Sequence, residues 1–335
     1  MKIDVDIPFF ELLEMPRVAR AAEEIGFDGL WIGETQHDPF LPLALVAEHT
    51  SRIGLGTSIA VAFPRSPTVL AHIAWDLQRA SRGRFILGLG TQVKAHIERR
   101  FGMTWEKPAP KLREMILAIR ALWNAWQGDG TINFRGEFYK ITLMTPVFNP
   151  GPIEHPDIPI YIAGVNEHLC RVAGELCQGF HVHPFHTTKY LREIVLPNIE
   201  LGARKSNRTR ADVQLCSAIF VATNDDEREM VRARIAFYAS TPSYRAVLDV
   251  HGWGAVGEKL GFLAARGKWD EMPALISDEL LNEVAIIAPQ EEVPARVHTK
   301  YAGLLDRVTF YAPFGLEEAR WRELAQSFRR QGSGA

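Results

Sequence analysis

The sequence has little net charge and no long apolar run. Its 335 residues carry a formal net charge of −2, which gives no electrostatic reason to expect binding to nucleic acid or to an anionic membrane. No uninterrupted apolar stretch is long enough to span a bilayer. Residues Met1–Asp6 enter a strand pattern at once and lack the apolar core of a signal peptide. We therefore expect a soluble, cytoplasmic protein with neither a membrane nor a nucleic acid as partner.

Cysteine is also scarce. The three cysteines, Cys170, Cys177 and Cys216, are an odd number and have the spacing of neither a disulfide framework nor a zinc site. Cys170 and Cys177 are two helical turns apart, on one face of a predicted helix. We interpret all three as small buried side chains in a reducing compartment.

Short apolar runs alternate with amphipathic segments of helical length, which is typical of a parallel sheet buried on both faces. The predicted strands are Lys2–Ile7, Gly29–Gly33, Ile53–Val61, Phe85–Gly90, Ile160–Ala163, Gly179–His183, Val213–Ala222 and Val308–Tyr311. The predicted helices are Pro16–Ile25, Leu41–Thr50, Pro67–Ser81, Lys111–Trp126, Glu167–Cys177, Tyr190–Ala203, Asp225–Ser240, Glu291–Leu304 and Leu316–Phe328. Eight parallel strands with right-handed crossovers predict an α/β fold, a closed (β/α)₈ TIM barrel.

The alternative is an open doubly wound sheet, which requires a glycine-rich phosphate-binding turn after the first strand. Residues Pro8–Glu11 contain no glycine there. Gly88–Leu89–Gly90, at the fourth strand, lacks the third glycine of that signature. The barrel is therefore the favoured prediction.

Two insertions interrupt the alternation, one after the fourth strand and one after the seventh. The first, Gln127–Asp157, is rich in glycine and proline and holds a predicted hairpin, Thr131–Phe134 with Glu137–Ile141. The second, Thr241–Pro289, is irregular and mostly helical, as expected of a lid. We predict one domain over residues 1–330 and a disordered tail over residues 331–335.

Several stretches together resemble the luciferase-like monooxygenase superfamily, and more closely its branch that uses the deazaflavin coenzyme F420. They are Glu24–Glu34 (EIGFDGLWIGE), Arg52–Thr57 (RIGLGT), Ser81–Thr91 (SRGRFILGLGT), Pro289–Val293 and Leu304–Val308. Their order and spacing over nearly the whole chain carry the resemblance, since no single stretch is specific. It implies a TIM barrel with insertions, in agreement with the strand count, and a homodimer.

Two residues that follow the second strand are candidate catalytic groups. His37 comes at the rim of the barrel where an imidazole can donate or accept a proton at neutral pH, although a loop histidine that caps the next helix fits the sequence equally well. Many F420-dependent relatives have an acidic residue and a histidine at this strand end, which the resemblance assigns to Glu34 and His37. The intervening Thr35–Gln36 leaves open which of the two faces the cofactor ring.

The resemblance implies a cofactor site at three further strand ends. Relatives have a bulge with a non-prolyl cis peptide behind the tricyclic ring, which alignment on Arg65–Pro67 puts at Ser58–Ile59; the local sequence alone favours an ordinary strand end. Thr91–Gln92 ends the fourth strand beside it. The cofactor phosphate is expected at Gly164–Val165–Asn166, where a helix N-terminus offers N–H groups. A glycine turn with Asn166 as N-cap is compatible with that role.

His181 and His183 alternate on the sixth strand, so their side chains share one face, and His186 follows closely. The pattern invites a metal site, but barrel hydrolases typically carry such a pair on the first strand. We expect instead that His183 and Phe63 line the substrate pocket, that His181 is structural, and that no metal is bound.

The function implied by the resemblance is hydride transfer between F420 and an unidentified small organic substrate. A deazaflavin carries hydride and reacts poorly with oxygen, so a dehydrogenation or a reduction is expected. Three alternatives stay open: an FMN-dependent luciferase-like monooxygenase, a metal-dependent barrel hydrolase built on His181 and His183, and a cofactor-binding barrel without turnover.

Overall fold

Eight parallel strands close into a barrel within the part of the chain that the computed structural model describes, residues 1–8, 11–311 and 317–332. The barrel strands are β1 (Lys2–Asp6), β2 (Gly29–Ile32), β3 (Gly54–Thr57), β4 (Phe85–Gly90), β5 (Ile160–Gly164), β6 (Gly179–Val182), β7 (Gln214–Ala222) and β8 (Arg307–Tyr311). Each strand pairs in parallel with the next, and β8 pairs with β1. The predicted TIM barrel is therefore confirmed.

The third predicted strand, Ile53–Val61, is interrupted. β3 ends at Thr57, the peptide bond Ser58–Ile59 is cis as predicted, and a two-residue strand, Ala60–Val61, follows. A Cβ on Gly90 of β4 would lie 2.5 Å from Ile59 Cδ1, so Ile59 packs directly on the bare backbone of Gly90. The prediction of one continuous strand was wrong, because the chain leaves the sheet at Ser58–Ile59 and makes that contact.

Helices cover the outside of the barrel. They are α1 (Met15–Ile25), α2 (Phe40–His49), α3 (Pro67–Ala80), α4 (Lys94–Arg99), α5 (Pro108–Gln127), α6 (Glu167–Leu176), α7 (Thr188–Tyr190), α8 (Leu196–Arg204), α9 (Asp225–Ala239), α10 (Arg245–Asp249), α11 (Gly254–Ala264), α12 (Asp278–Val284), α13 (Val293–Tyr301) and α14 (Glu318–Gly332). α4 was not predicted, because six residues are too few to show a helical period. None of the helices in the described ranges has the length and apolar character needed to cross a bilayer.

The last helix extends further toward the C-terminus than predicted. α14 continues to Gly332, so the predicted disordered tail was wrong at residues 331–332, where no helix-breaking residue comes before Gly332. The remainder of that tail, residues 333–335, lies outside the described residues, as does Leu316, where the last helix was predicted to begin.

The first insertion packs on the outside of α3 and α5. Trp75 Nε1 donates to Gly151 O (3.0 Å), and the Gln127 side chain exchanges two hydrogen bonds with the backbone of Ile153 (3.2 and 3.0 Å). Its hairpin is shorter than predicted and pairs residues 134–135 with residues 140–141. The Glu114 carboxylate of α5 accepts the N–H groups of residues 137–139, so these residues form the turn instead of the start of the second strand.

α9, predicted as the helix Asp225–Ser240, leads into the second insertion. Tyr238 of α9 meets the His183 ring edge-on (centroids 4.7 Å apart), at the C-terminal end of β6, so the C-terminal end of α9 reaches the mouth of the barrel. Ala285–Ile287, predicted to be helical, is a strand paired with residues 220–222 of β7. The helical interpretation was wrong there because three residues show no period.

A buried ion pair lies inside the barrel beneath the mouth. The Arg307 guanidinium donates two hydrogen bonds of 2.7 Å to the Asp4 carboxylate, and Trp31 Nε1 donates a third of 2.9 Å. A Cβ on Gly29 would lie 2.5 Å from Arg307 Nη2, so glycine makes room for the guanidinium. The larger apolar core lies between the outer strand faces and the helices, and a smaller cluster of Trp31, Tyr161 and Cys216 packs beside the ion pair inside the barrel.

Candidate active site

The bulge after β3 lies at the C-terminal mouth, where the active sites of this fold are found. Ser58 N donates to Ile32 O (2.9 Å) and Glu34 N donates to Ile59 O (3.0 Å), so bonds to the end of β2 hold both sides of the cis peptide. Ser58 and Ile59 are half-buried. The bulge is thus a fixed backbone surface that remains partly accessible.

Glu34 has both carboxylate oxygens engaged. Oε2 accepts hydrogen bonds from Val61 N and Arg65 Nη1 (both 2.7 Å), and Oε1 accepts one from Arg65 Nη2 (3.2 Å). Burial by itself would lower the pKa of Arg65, but its bonds to Glu34 and Asp38 raise that pKa above the usual value. These contacts fit Glu34 for bracing the bulge and give no support to a role in proton transfer.

His37 is the exposed member of the predicted catalytic pair. It lies on the loop after β2, three residues beyond Glu34, and Arg100 fixes that loop by donating to Thr35 O. An exposed imidazole at this end of the barrel can meet a ligand that arrives from solvent. Between the two candidates, the structure therefore favours His37 as the group that touches a ligand.

Thr91–Gln92 continues β4 beside the bulge. Ala62 N donates to Gly90 O (2.9 Å), which ties the two strand ends together. Gln92 has a left-handed φ of 60°, and its Oε1 accepts from Val93 N (3.0 Å), while Thr91 Oγ1 donates to Gln92 O (3.2 Å). The turn is held by its own side chains and directs the chain into α4.

The loop Gly164–Val165–Asn166 joins β5 to α6. Its last residue is the N-cap as predicted, with Oδ1 accepting from Leu169 N (3.0 Å), and the Tyr190 hydroxyl donates to the carbonyl of residue 165. A Cβ on residue 164 would lie 2.6 Å from Leu169 Cβ, so only glycine lets the loop lie against α6. Glu167, in the first helical turn, accepts from Arg171 Nη2 (2.7 Å), which offsets its negative charge.

Five aromatic side chains lie together on the opposite side of the mouth, and we call them the aromatic wall: His183, Phe220, Tyr238, Tyr244 and Tyr311. The His183 ring stacks on Tyr244 (centroids 4.2 Å apart, 25°), and Phe220 meets Tyr311 (4.8 Å, 61°). β7, which carries Phe220, is four strands from β3 in the ring of eight, so the wall lies across the mouth from the bulge. Of these five residues, the sequence analysis identified only His183. The period-2 alternation that put His181 and His183 on one face, applied to β7 and β8, could also have identified Phe220 and Tyr311.

Phe63 is not part of the aromatic wall. It is 4% exposed, meets Trp105 edge-on (6.0 Å) and lies under the Lys111 ammonium (5.5 Å from the ring centroid). The structure thus puts Phe63 in the core, on the same side of the barrel as the bulge.

Asp6, which the sequence analysis did not identify, ends β1 at the same mouth. Thr309 Oγ1 donates to Asp6 Oδ2 (3.4 Å). Burial, with repulsion from Asp4 below it, raises the pKa of Asp6 to about 7. A carboxyl group of this pKa is partly protonated at neutral pH and can donate a proton. The alternation of Asp4 and Asp6 along β1 is the sequence pattern that could have identified Asp6.

His181 and His186 are packed into the protein. His181 meets Trp31 edge-on (4.9 Å) inside the barrel, and burial lowers its pKa to about 3. His186 Nδ1 lies 2.9 Å from His183 O, and burial lowers its pKa to about 4. Over residues 1–8, 11–311 and 317–332, no group of three or more His, Cys, Asp or Glu side chains could hold a metal ion.

Two surface cavities lie away from the mouth. One, of about 440 Å³, lies between the strand Ala285–Ile287 and α13, and the other, of about 560 Å³, lies between α5 and the hairpin. Neither is lined by a predicted site residue. The loops after β1 and β8 contain residues 9–10 and 312–316, outside the described ranges. The candidate site is therefore defined by its strand-end residues.

Comparisons with known proteins agree with this architecture. A family model described as luciferase-like monooxygenase matches residues 6–307. An uncharacterized protein of Mycobacterium tuberculosis is 44% identical over 314 residues, 92% of each chain. A 5,10-methylenetetrahydromethanopterin reductase of Archaeoglobus fulgidus is 27% identical over 332 residues, 96% of each chain.

A solved structure shows the same fold over the full length. The coenzyme F420-dependent tetrahydromethanopterin reductase of Methanopyrus kandleri superimposes with a TM-score of 0.81 over 98% of this chain and 99% of that one. At 21% sequence identity, this likeness concerns the fold.

Proposed function

Because this chain belongs to the luciferase-like monooxygenase family, we propose that it is an oxidoreductase that transfers a hydride between F420 and a small organic substrate. The observation that carries the proposal is the mouth of the barrel, where the cis peptide Ser58–Ile59 and the loop Gly164–Val165–Asn166 end strands on either side of β4. A relative from Mycobacterium tuberculosis, 29% identical over 297 residues, is named for an F420-dependent oxidoreductase, which supports the choice of cofactor.

The α6 N-terminus suits the phosphate of the cofactor. The N–H groups of a first helical turn have no intrahelical partner, and Asn166 occupies only that of Leu169. The N–H groups of Glu167 and His168 precede it at the positive end of the helix dipole. Gly164 has no side chain and packs closely on Leu169, so it does not block access to these N–H groups. A phosphate can therefore approach the backbone.

The bulge suits a flat ring system. Ser58–Ile59 and Gln92 are partly accessible and adjoin each other, with Thr91 buried beside them, and the aromatic wall lies across the mouth. A ring held against the bulge would have the aromatic wall across the mouth from it, where a substrate would bind. When bound, F420 supplies or accepts the hydride.

The chain's own residues divide the remaining tasks. We assign to His37 the orientation of the substrate or the movement of its proton, as expected for an exposed imidazole at the rim. Asp6, with its raised pKa, is a second group able to hold a proton at the mouth. Glu34 keeps the bulge in place through Val61 and Arg65.

The alternatives differ in what they bind. An FMN-dependent monooxygenase would use the same mouth, whereas a metal-dependent hydrolase would need ligands near His181 and His183. Homodimer formation and a cytoplasmic location stay predictions; light scattering tests the first.

The experiment is a titration of the purified protein with F420 and, separately, with FMN, followed by fluorescence, together with a measurement of bound metal. We expect tight binding of F420 and no stoichiometric metal. Zinc or iron at one equivalent without affinity for either cofactor would refute the proposal, and tighter binding of FMN would favour the monooxygenase. Oxidation of bound reduced F420 by an organic acceptor would exclude a barrel without turnover.

A further inference from the structure

We propose that the His183 imidazole donates a hydrogen bond from Nε2 to an acceptor oxygen of a planar substrate that lies against the aromatic wall. The inference rests on the proposed function, because it describes the substrate side of the same mouth. It identifies the substrate class as a flat, conjugated carbonyl compound.

The tautomer of His183 is fixed by its backbone neighbour. Phe185 N donates to His183 Nδ1 (3.1 Å), so Nδ1 carries the lone pair and the ring proton is on Nε2. Burial, with a smaller contribution from His186, lowers the pKa of His183 to about 3. The ring is therefore a neutral donor at every pH at which the protein is expected to work.

The orientation of the ring is fixed by two tyrosines. Tyr244 stacks on one face with centroids 4.2 Å apart, and Tyr238 meets the ring at 82° with centroids 4.7 Å apart. The Tyr238 hydroxyl lies 3.4 Å from that of Tyr311, which links this group to β8. A donor held in this way by two tyrosines, and by Phe185 N at the other ring nitrogen, directs its bond without first losing rotational freedom.

The donor is directed toward the mouth. Side chains alternate along a strand, and His181, two residues earlier, points into the barrel against Trp31. His183 is on the same face and one layer closer to the mouth, where it is partly exposed. Within the described ranges, no hydrogen bond from its Nε2 is found, so the donor is available to a ligand.

The surroundings of His183 select the ligand chemistry. A ring N–H pairs with a carbonyl oxygen and offers nothing to an ammonium or a hydroxyl hydrogen. The five side chains of the aromatic wall carry no charge, so they favour a neutral ligand over a carboxylate or a phosphate; the nearest cation that acts on them is Arg234, through Tyr238. The partly exposed rings of the wall favour a flat apolar body, and Phe220, which is fully buried, supports them. A conjugated ketone, quinone or lactam meets all three conditions.

Two substitutions separate the roles of the two ring nitrogens. His183→Asn keeps an oxygen near the position of Nδ1, which accepts from Phe185 N, but loses the distal donor. His183→Gln puts an amide nitrogen near the position of Nε2 but loses the acceptor for Phe185. A purely structural histidine would therefore tolerate Asn better than Gln, and a substrate-binding histidine the reverse.

The test measures the binding of menadione and of 2-methylnaphthalene to the F420-loaded protein by equilibrium dialysis; the two probes share a bicyclic frame and differ in the carbonyl groups. We expect the wild type to prefer menadione, H183N to bind menadione about three- to tenfold more weakly with 2-methylnaphthalene unchanged, and H183Q to keep most of the preference.

Equal weakening of both probes in H183N, a greater loss in H183Q than in H183N, or no binding of menadione to the F420-loaded wild type would overturn the inference. F420 affinity is measured for each variant in the same series. Failure of the wild type to bind F420 would refute the proposed function itself, whereas normal F420 affinity with an unchanged probe preference in H183N would refute only the role of His183.

Discussion

The Arg65 guanidinium and the Glu34 carboxylate form a two-pronged ion pair, with Nη1–Oε2 at 2.7 Å and Nη2–Oε1 at 3.2 Å. Their side chains are 15% and 7% exposed. Because the same carboxylate also accepts from Val61 N, the pair ties the end of β2 to the residues that follow the cis peptide. The shape of the mouth at Ser58–Ile59 is thus expected to depend on this ion pair.

Replacing Glu34 by glutamine should therefore affect both stability and cofactor binding. We expect the free energy of unfolding to fall by about 1–3 kcal/mol, since Arg65 keeps a neutral partner in place of a charged one, and we expect weaker F420 binding. Urea denaturation and fluorescence titration measure the two effects. Glu14→Gln, which removes an exposed pair with Arg17, is the matched control and should cost less than about 0.5 kcal/mol. If E34Q resembles this control, the bracing role is wrong.

Asp6 should make stability depend on pH in a defined direction. Its pKa is about 7 in the folded state against 3.8 for an unperturbed side chain, so the folded state binds the proton more tightly. The contribution is fully present below pH 3.8 and is lost as the pH rises through 7.

The difference in free energy of unfolding between Asp6→Asn and the wild type should therefore change by about 1–3 kcal/mol in favour of the variant from pH 5 to pH 8. Only the wild type loses the Asp6 contribution over this range. Denaturation curves at the two pH values measure this difference. Asp249→Asn, at an exposed position on α10, is the control for the removal of one carboxylate. A D6N profile parallel to that of the wild type would show that Asp6 titrates normally.

The phosphate loop is tested at Gly164. Its Cβ would lie 2.6 Å from Leu169 Cβ, so Gly164→Ala must move the loop off α6. We expect a loss of about 1–3 kcal/mol in stability from overpacking, together with at least a tenfold loss of F420 affinity. Gly261→Ala is the control, because the atom nearest to its Cβ would be Ser240 O at 3.4 Å and alanine favours a helix. Undiminished F420 affinity in G164A would place the phosphate elsewhere.

His37→Ala should separate binding from turnover. We expect F420 affinity close to that of the wild type and a turnover lowered by about 10²- to 10⁴-fold, the usual contribution of a positioned acid or base. His155→Ala is the matched control, since His155 is equally exposed but precedes β5, at the opposite end of the barrel. Turnover in H37A equal to that of the control would remove His37 from the mechanism.

Much of the architecture could be predicted from the sequence. Parallel strands buried on both faces are short apolar runs, so all eight barrel strands were recognised. The elements that were missed, α4 and Ala285–Ile287, are too short to show a period. The interruption of the third strand was expected only from the family resemblance, because nothing in residues 53–61 indicates a break.

The site was less predictable. Gly164–Val165–Asn166 and His37 follow strand ends, so their location comes directly from the strand boundaries. Asp6 and Tyr244 were missed because their significance comes from neighbours distant in sequence, Thr309 for one and His183 for the other.

The sequence by itself determined the barrel, its strand order and the edge at which the site lies, because hydrophobic period and strand ends are local properties. Only the tertiary structure decided which polar groups at that edge are engaged and which are available. Arg65 engages Glu34 across 31 positions of the chain, and Tyr244, 61 positions after His183, stacks on its ring. Contacts between residues so far apart in the sequence depend on how the closed barrel brings strand ends together. A local sequence pattern cannot predict them.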